Sequence, residues 1–252
     1  MKIKIATFNT LHCMNYPHYL ETGKSVIDFD SVAAQIKDMG ADICVLNEMR
    51  NESAVGGDDQ VAAVAERLGY FYHFAKAINL KNGGEYGNAV VSRYPIISAR
   101  AYPISLPEDC RANSPRYEDR VLISVEIEVF GTVITVLGCH FGLSEAEKGR
   151  ALEVILQAIE QIKTPIVLAG DFNIFPNHPI IAELSRRLED SADKLTEMRG
   201  TFIGAADKDG KLPFDHEKKI DYLFTSALAV TSATIPEESC SDHRSMYAEI
   251  EI

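Results

Sequence analysis

Short apolar runs that end abruptly in polar residues recur along the chain. Residues 1–8 alternate with period two and run into Asn9, which predicts a first strand. Asp42 to Glu48 and Pro165 to Asp171 are nearly continuous apolar runs, the pattern of buried strands. Tyr70 to Phe74 is aromatic and strand-like. A turn at Asn82-Gly83-Gly84 leads into Tyr86 to Arg93, and Pro95 begins an extended segment to Ala101. Val121–Val129 and Thr132–Gly138 flank a tight turn at Phe130-Gly131, and the second runs on to Cys139-His140. Ile220 to Phe224 and Met246 to Ile252 complete the strands.

Helical period is sparser. One helix starts near Asp28 or Asp30, passes Val32, Ala33 and Ile36, and stops at Gly40. A second is capped by Asp58 or Asp59, carries Val61, Val64, Ala65 and Leu68 on one face, and ends at Gly69. A third follows the capping-box spacing of Ser144 and Glu147, with Leu152, Ile155, Leu156 and Ile159 in period, and a short one follows Pro179. Met14–Tyr19, Pro103–Asp119 and Gly204–Lys219 read as loops. Strands dominate and helices arrive singly between them, so two packed sheets with helices outside are expected.

Composition narrows the picture without changing it. The 252 residues, 46% hydrophobic, contain no linker, repeat or low-complexity run, which predicts a single domain over residues 1–252 with a sizeable core. No stretch reads as a bilayer span, and the first strand leaves no room for a leader, so a cytoplasmic monomer is the expectation. Five cysteines at no ligand-like spacing agree with that compartment. A net charge of −12 with no basic stripe counts against general nucleic-acid binding, because duplex affinity rests on cations that neutralise phosphates.

The polar residues at the strand ends carry the chemistry. Asp171 and Asn173 stand two apart after a buried run, so on an extended backbone they face one side, a carboxylate and an amide together. Asn9, Glu48, Asn88, His140, Asp221, Asp242 and His243 take comparable places. Singly, each has an ordinary explanation: a turn former at Asn9, solvated charges at Glu48 or Asp221, a core histidine at His140, packing at Tyr86, ion pairs at Arg93 and Arg120. His12, His18, His73, His178 and His216 match no motif and read as surface or loop residues.

In order, Thr7-Phe8-Asn9, Asn47-Glu48, Tyr86-Gly87-Asn88 through Arg93, Arg120, His140, Gly170-Asp171-Phe172-Asn173, Ile220-Asp221-Tyr222 and Ser241-Asp242-His243 resemble the endonuclease/exonuclease/phosphatase superfamily, the fold of deoxyribonuclease I. The resemblance implies an α+β, four-layer αββα sandwich and a metal-dependent phosphoester hydrolase using Mg²⁺ or Mn²⁺. Glu48 matches the main metal carboxylate, with Asn9 beside it and Asp242 as a further ligand or a support for its neighbour. His243 matches the general base that activates water, and Asp221 the carboxylate that fixes its tautomer. Asp171 would orient the water, Asn173 and His140 would donate to phosphate oxygens, and Asn88, Tyr86 and Arg120 would contact substrate. Deoxyribonuclease I carries a Glu where this chain has Asn88, so His140 is expected to act as a neutral donor. With the net charge of −12, the resemblance favours a small phosphorylated substrate; a nuclease is the alternative, for which Arg111, Arg116, Lys218 and Lys219 would form a groove. A catalytically inactive interaction module ranks below both, since every motif position is filled.

Overall fold

The computed structural model describes residues 1–111, 116–204 and 219–252. Its strands are β1 (Lys2–Asn9), β2 (Ile43–Asn51), β3 (Phe71–Asn79), β4 (Glu85–Ser92), β5 (Ile96–Ile104), β6 (Arg120–Val129), β7 (Thr132–His140), β8 (Ile166–Asp171), β9 (Glu189–Asp190), β10 (Asp221–Ser226), β11 (Ala229–Thr234) and β12 (Met246–Glu251). The helices are α1 (Tyr16–Thr22), α2 (Phe29–Met39), α3 (Gln60–Leu68), α4 (Glu108–Arg111), α5 (Glu145–Gln161) and α6 (Pro179–Ser185).

Among the described residues the strands form two six-stranded sheets, ordered β3-β4-β2-β1-β12-β11 and β5-β6-β7-β8-β10-β9. Each sheet has one parallel pair near its centre, β1 with β2 and β7 with β8. A parallel pair needs a crossover connection. Here α1 and α2 supply it for the first sheet and α5 for the second.

Period-two alternation builds the layers. Ile3 and Ile5 face the space between the sheets, joined by Ile43, Val45 and Val90 and met by Val125, Val136 and Val167. The intervening Ala6, Phe8, Cys44 and Leu46 face outward onto α2 and α3, through Val32, Ile36, Val61 and Val64. Across the molecule, Ala151 and Ile155 of α5 and Ile181 and Leu184 of α6 cover Leu137, Leu168 and Phe224. The result is the expected helix–sheet–sheet–helix sandwich. A one-residue slip in β1 would exchange the two sets, so the pattern also sets the register.

Capping residues bound the helices where the sequence indicates. Asp28 accepts from Ser31 N ahead of α2, Asp59 from Ala62 N ahead of α3, and Ser144 with Glu147 closes a capping box on α5.

Some elements differ from expectation. Tyr16–Thr22 is helical where a loop is predicted: seven residues are too few to display a period, yet Asn15 caps it, Pro17 sits in its first turn and Gly23 closes it. β3 runs on to Asn79 and β5 to Ile104, because pairing with β4 and β6 continues past the expected ends. α4 interrupts the Pro103–Asp119 loop, and β11 is an unpredicted edge strand recruited by β12. Of the charged segment 204–219, only Gly204 and Lys219 fall within the described residues; Lys218 and His216 lie outside them. No helix among the described residues is long and apolar enough to cross a membrane.

Candidate active site

The two parallel pairs end at the same edge of the sandwich, where Asn9, Asn47, His140 and Asp171 meet. The Asp171 N–H donates to Asn47 Oδ1 at 3.0 Å, and Asn47 Nδ2 donates to Cys139 O at 2.9 Å, which ties the ends of β2, β7 and β8 together. β10 runs antiparallel to β8 and so begins at this edge, with Asp221 opposite Asp171. The segment before β12 brings Asp242 and His243.

Local departures from regular strand geometry aim the side chains. Register slips between Leu46 and Met49, and Glu48 takes a φ of 64°. Asn47 faces the junction of the sheets, so plain alternation would turn Glu48 away; the bulge turns it back. Gly170, at φ 150°, passes so close to β7 that a Cβ there would lie 1.9 Å from Cys139 O. That approach seats Asp171. Asn173, at φ 50°, turns the chain out of the site, and its N–H donates to Asp171 Oδ1 at 2.9 Å.

Asp171 Oδ2 is the point of convergence. Asn9 Nδ2 donates to it at 3.1 Å, His140 Nε2 stands 3.4 Å away and His243 Nε2 stands 3.7 Å away. His243 Nδ1 lies 2.9 Å from Asp221 Oδ2, which assigns the proton of a neutral imidazole to Nδ1 and leaves Nε2 facing Asp171. Burial opposes a charge on His243, but Asp221, Asp171 and Asp242 outweigh it and push its pKa up to about 10. Burial likewise pushes Asp171 up to about 7, with His243 restraining the rise. His140 differs: burial, then Arg120, then His243 hold it well below the usual imidazole range. Its contact with Asp171 is therefore a neutral N–H facing a carboxylate, not an ion pair.

Glu48 receives the other half of the Asn9 amide, Nδ2 donating to Oε1 at 3.0 Å. Burial raises the Glu48 pKa, and the nearby Asp242 charge adds to the rise. Asn9 Oδ1 meanwhile accepts from Leu11 N at 3.1 Å, so Asn9 holds two carboxylates apart while its oxygen braces the following turn. The donor set at this edge is rich in carboxylate oxygen, from Glu48, Asp242 and Asp171, which fits a hard divalent cation. Asp171, Asp221 and His243 also stand close enough to hold an ion, their ligating atoms all within 4.8 Å. His243 Nδ1, however, already faces Asp221.

Tyr86 lies beside Glu48 and Arg120, and burial, followed by the Glu48 charge, raises its phenol pKa. Arg120 Nη1 sits 3.2 Å from Glu118, but poor alignment leaves it and Nε without hydrogen-bond partners among the described residues. Asn173 spends one amide donor on Phe141 O at 3.0 Å. Asn88 falls inside β4, where its amide donates to Val121 O and accepts from Asn47. Its hydrogen bonds thus go to the scaffold. Arg93 is an ion-pair residue, 2.9 Å from Asp42. Lys219 is not a groove residue: it is buried, with Nζ 3.3 Å from the centre of the Tyr222 ring, and burial pushes its pKa down to about 8.

Supporting residues emerge that the sequence does not single out. Thr201 Oγ1 accepts from Ile220 N at 2.9 Å and Asp221 N at 3.0 Å, which fixes the start of β10. Gln35 of α2 accepts from Cys240 N at 2.9 Å and donates to Ser245 Oγ at 3.1 Å, so it grips both sides of the His243 segment. Behind that segment Gln35, Ser239 and Cys240 help line a cavity of about 570 Å³ that holds none of the site groups. Only Asn47, adjacent to Glu48, carried a signal in the sequence.

A family model described as "Endonuclease/Exonuclease/phosphatase family" matches residues 6–243. The chain belongs to this family. Uncharacterized protein YbhP of Escherichia coli K12 is 31% identical over 104 residues, a match covering 38% of each protein's length. The endonuclease/exonuclease/phosphatase of Bacteroides vulgatus superposes with a TM-score of 0.79 at 21% identity, covering 100% of this chain and 99% of that one. A mannosyl-6-phosphatase of Bacteroides thetaiotaomicron gives 0.77 at 18% identity over 99% and 100%. Danio rerio (D. rerio) TDP2 with a single-strand DNA product gives 0.71 at 14% identity over 100% and 99%. At these identities the structural likenesses establish the fold, and the family is one of phosphoester hydrolases.

Proposed function

We propose that the chain hydrolyses a small phosphoester with a divalent cation, Mg²⁺ or Mn²⁺, by attack of a His243-activated water. The observation that carries this reading is the convergence of Asn9, His140 and His243 on Asp171 Oδ2, with Asp221 behind His243 and Glu48 alongside. In its neutral form, with the proton on Nδ1, His243 takes a proton from the water at Nε2 while Asp221 stabilises the imidazolium that forms. The water oxygen bonds to phosphorus as the bond to the leaving oxygen breaks, and the leaving group takes a proton from the imidazolium or solvent. Asp171 orients the attacking water. His140, Asn173 and the open donors of Arg120 hold phosphoryl oxygens, so the work is positioning and charge stabilisation. A cation held by Glu48 and Asp242 would polarise the phosphoryl group and neutralise charge on the leaving oxygen.

The mannosyl-6-phosphatase neighbour, the net charge of −12 and the burial of Lys219 favour a small substrate. The DNA-bound neighbour and Arg111 support a nuclease as the second reading. Kinetics on p-nitrophenyl phosphate, bis-p-nitrophenyl phosphate and plasmid DNA in one Mg²⁺ buffer at physiological salt separate the two. The expected result is higher catalytic efficiency on a small substrate, abolished by chelator. Plasmid nicking without small-molecule turnover would make the chain a nuclease, and full activity in excess EDTA would remove the metal.

A further inference from the structure

Beyond Asn9 the chain makes an unusual turn. Leu11, His12 and Cys13 all take left-handed conformations, at φ 48°, 46° and 61°, which residues with a Cβ seldom adopt in succession. A single buried amide holds the turn. Gln60 Nε2 donates to His12 O at 3.0 Å, and Gln60 Oε1 accepts from Arg50 N at 3.0 Å. The clamp thus fixes His12 against Arg50, two residues past Glu48 on β2.

Arg50 stands opposite Tyr86 in the pairing of β2 with β4. Cross-strand partners share a face, so Arg50 issues from the face on which Tyr86 meets Glu48 and Arg120. Arg67, Arg93, Arg150 and Arg186 each pair with a carboxylate. Arg50 makes no such pair among the described residues, and its Nε, like that of Arg150, is buried without a hydrogen-bond partner. Glu52, two residues on, is engaged by Asn82. His12 is close enough to feel the guanidinium: burial and then Arg50 push its pKa down to about 4. A part-buried guanidinium without a carboxylate partner is an uncompensated charge, which an anion would offset.

We infer that Arg50 and His12 form a second anion subsite beside the phosphoryl centre, selecting small phosphoesters that bear a second phosphoryl group. This rests on the phosphoesterase reading above for the position of the first group. A guanidinium fork matches phosphoryl oxygens in pairs, and a neutral imidazole adds one further hydrogen bond. Two residues along a strand span roughly 7 Å, a separation that a bisphosphorylated small molecule bridges.

Two measurements test the subsite. In the first, catalytic efficiencies on fructose 1,6-bisphosphate and fructose 6-phosphate are compared for wild type, Arg50→Met and Arg50→Lys. Wild type should favour the bisphosphate by about tenfold or more, the scale of a charge-assisted hydrogen bond. Arg50→Met should erase the preference through KM, and Arg50→Lys should restore part of it. In the second, calorimetry in Mg²⁺ compares butane-1,4-bisphosphonate, 5-phosphonopentanoate and butylphosphonate, each read against Arg50→Met so that chelation cancels. The bisphosphonate should bind at least tenfold tighter than butylphosphonate, and Arg50→Met should remove the difference. This second arm needs no turnover, so if it succeeds while every substrate fails, the subsite stands and the phosphoesterase reading falls. Equal binding of all three ligands by wild type, equal losses on both sugars in Arg50→Met, or 5-phosphonopentanoate binding as tightly as the bisphosphonate would overturn the inference.

Discussion

In water at neutral pH a carboxyl group is ionised and an imidazole mostly neutral. The site reverses the second tendency, with His243 pushed up to about 10, and weakens the first, with Asp171 pushed up to about 7. His243 must shed its extra proton before it can act as a base, and it depends on Asp221 for orientation and charge, so Asp221→Asn and His243→Ala should both depress kcat without unfolding the protein. The expected losses are about 10²–10⁴-fold, larger for His243, as is usual for general-base groups. Steady-state kinetics beside a thermal melt will show it, and near-normal turnover in either variant would exclude the dyad. Glu48→Gln acts elsewhere: it removes the carboxylate that Asn9 and the bulge hold in place. It should raise the Mg²⁺ concentration for half-maximal activity at least tenfold, and an unchanged metal titration would rule Glu48 out as a ligand. Residue types and their order made these groups legible in the sequence. Their couplings were not. Nothing in a linear pattern says that Asn88 is spent on Asn47 and Val121, that Lys219 folds over Tyr222, or that Gln60 clamps Arg50 to His12.

The elements were easier to read where burial and capping act locally. Asp28 with Gly40, Asp59 with Gly69 and the Ser144–Glu147 box bound their helices as the sequence suggests. Alternation of Ile3 and Ile5 with Ala6 and Phe8 sorts the two faces of β1. Elements set by a partner strand left no such trace: β11 forms because β12 offers an edge, and the far half of β3 because β4 extends beside it. Two glycines put the same distinction to a test. In Gly170→Ala the new methyl would meet Cys139 O at 1.9 Å on a backbone at φ 150°, so β7 and β8 must separate and drag Asp171 with them. A substantial drop in melting temperature and loss of activity are expected. Gly149, inside α5, has nothing within 4 Å of its missing Cβ. Gly149→Ala should therefore stabilise by about 0.5–1 kcal/mol through helix propensity, with activity unchanged. Chemical denaturation of both variants decides, and a Gly170→Ala protein as stable as wild type would contradict the close approach.

Across the whole molecule, several buried and half-buried titrating groups link stability to pH. The folded state raises the His243 pKa from 6.5 to about 10, so this group's stabilisation is complete below pH 6.5 and is lost as pH climbs toward 10. Asp171, raised from 3.8 to about 7, has the same sign at lower pH, because the folded protein again holds the extra proton. Three groups oppose them. His12, lowered to about 4, and His140, held well below its usual range, add stability as pH rises up to 6.5, and Lys219, lowered from 10.5 to about 8, does so chiefly above 8. Between pH 6.5 and 8 the folded protein therefore binds more protons than the unfolded chain, mainly at His243, and the slope of stability with pH is negative. In EDTA at constant ionic strength, the melting temperature should fall across that interval. His243→Asn should flatten the fall. Saturating Mg²⁺ should flatten it in wild type as well, because a cation near Glu48 and Asp242 disfavours the imidazolium and removes the proton excess. Differential scanning fluorimetry of the two proteins, with and without metal, makes the comparison. Parallel curves for wild type and His243→Asn in EDTA would show that the aspartates around His243 do not hold its proton, and the charge reversal at the centre of the site would have to be abandoned.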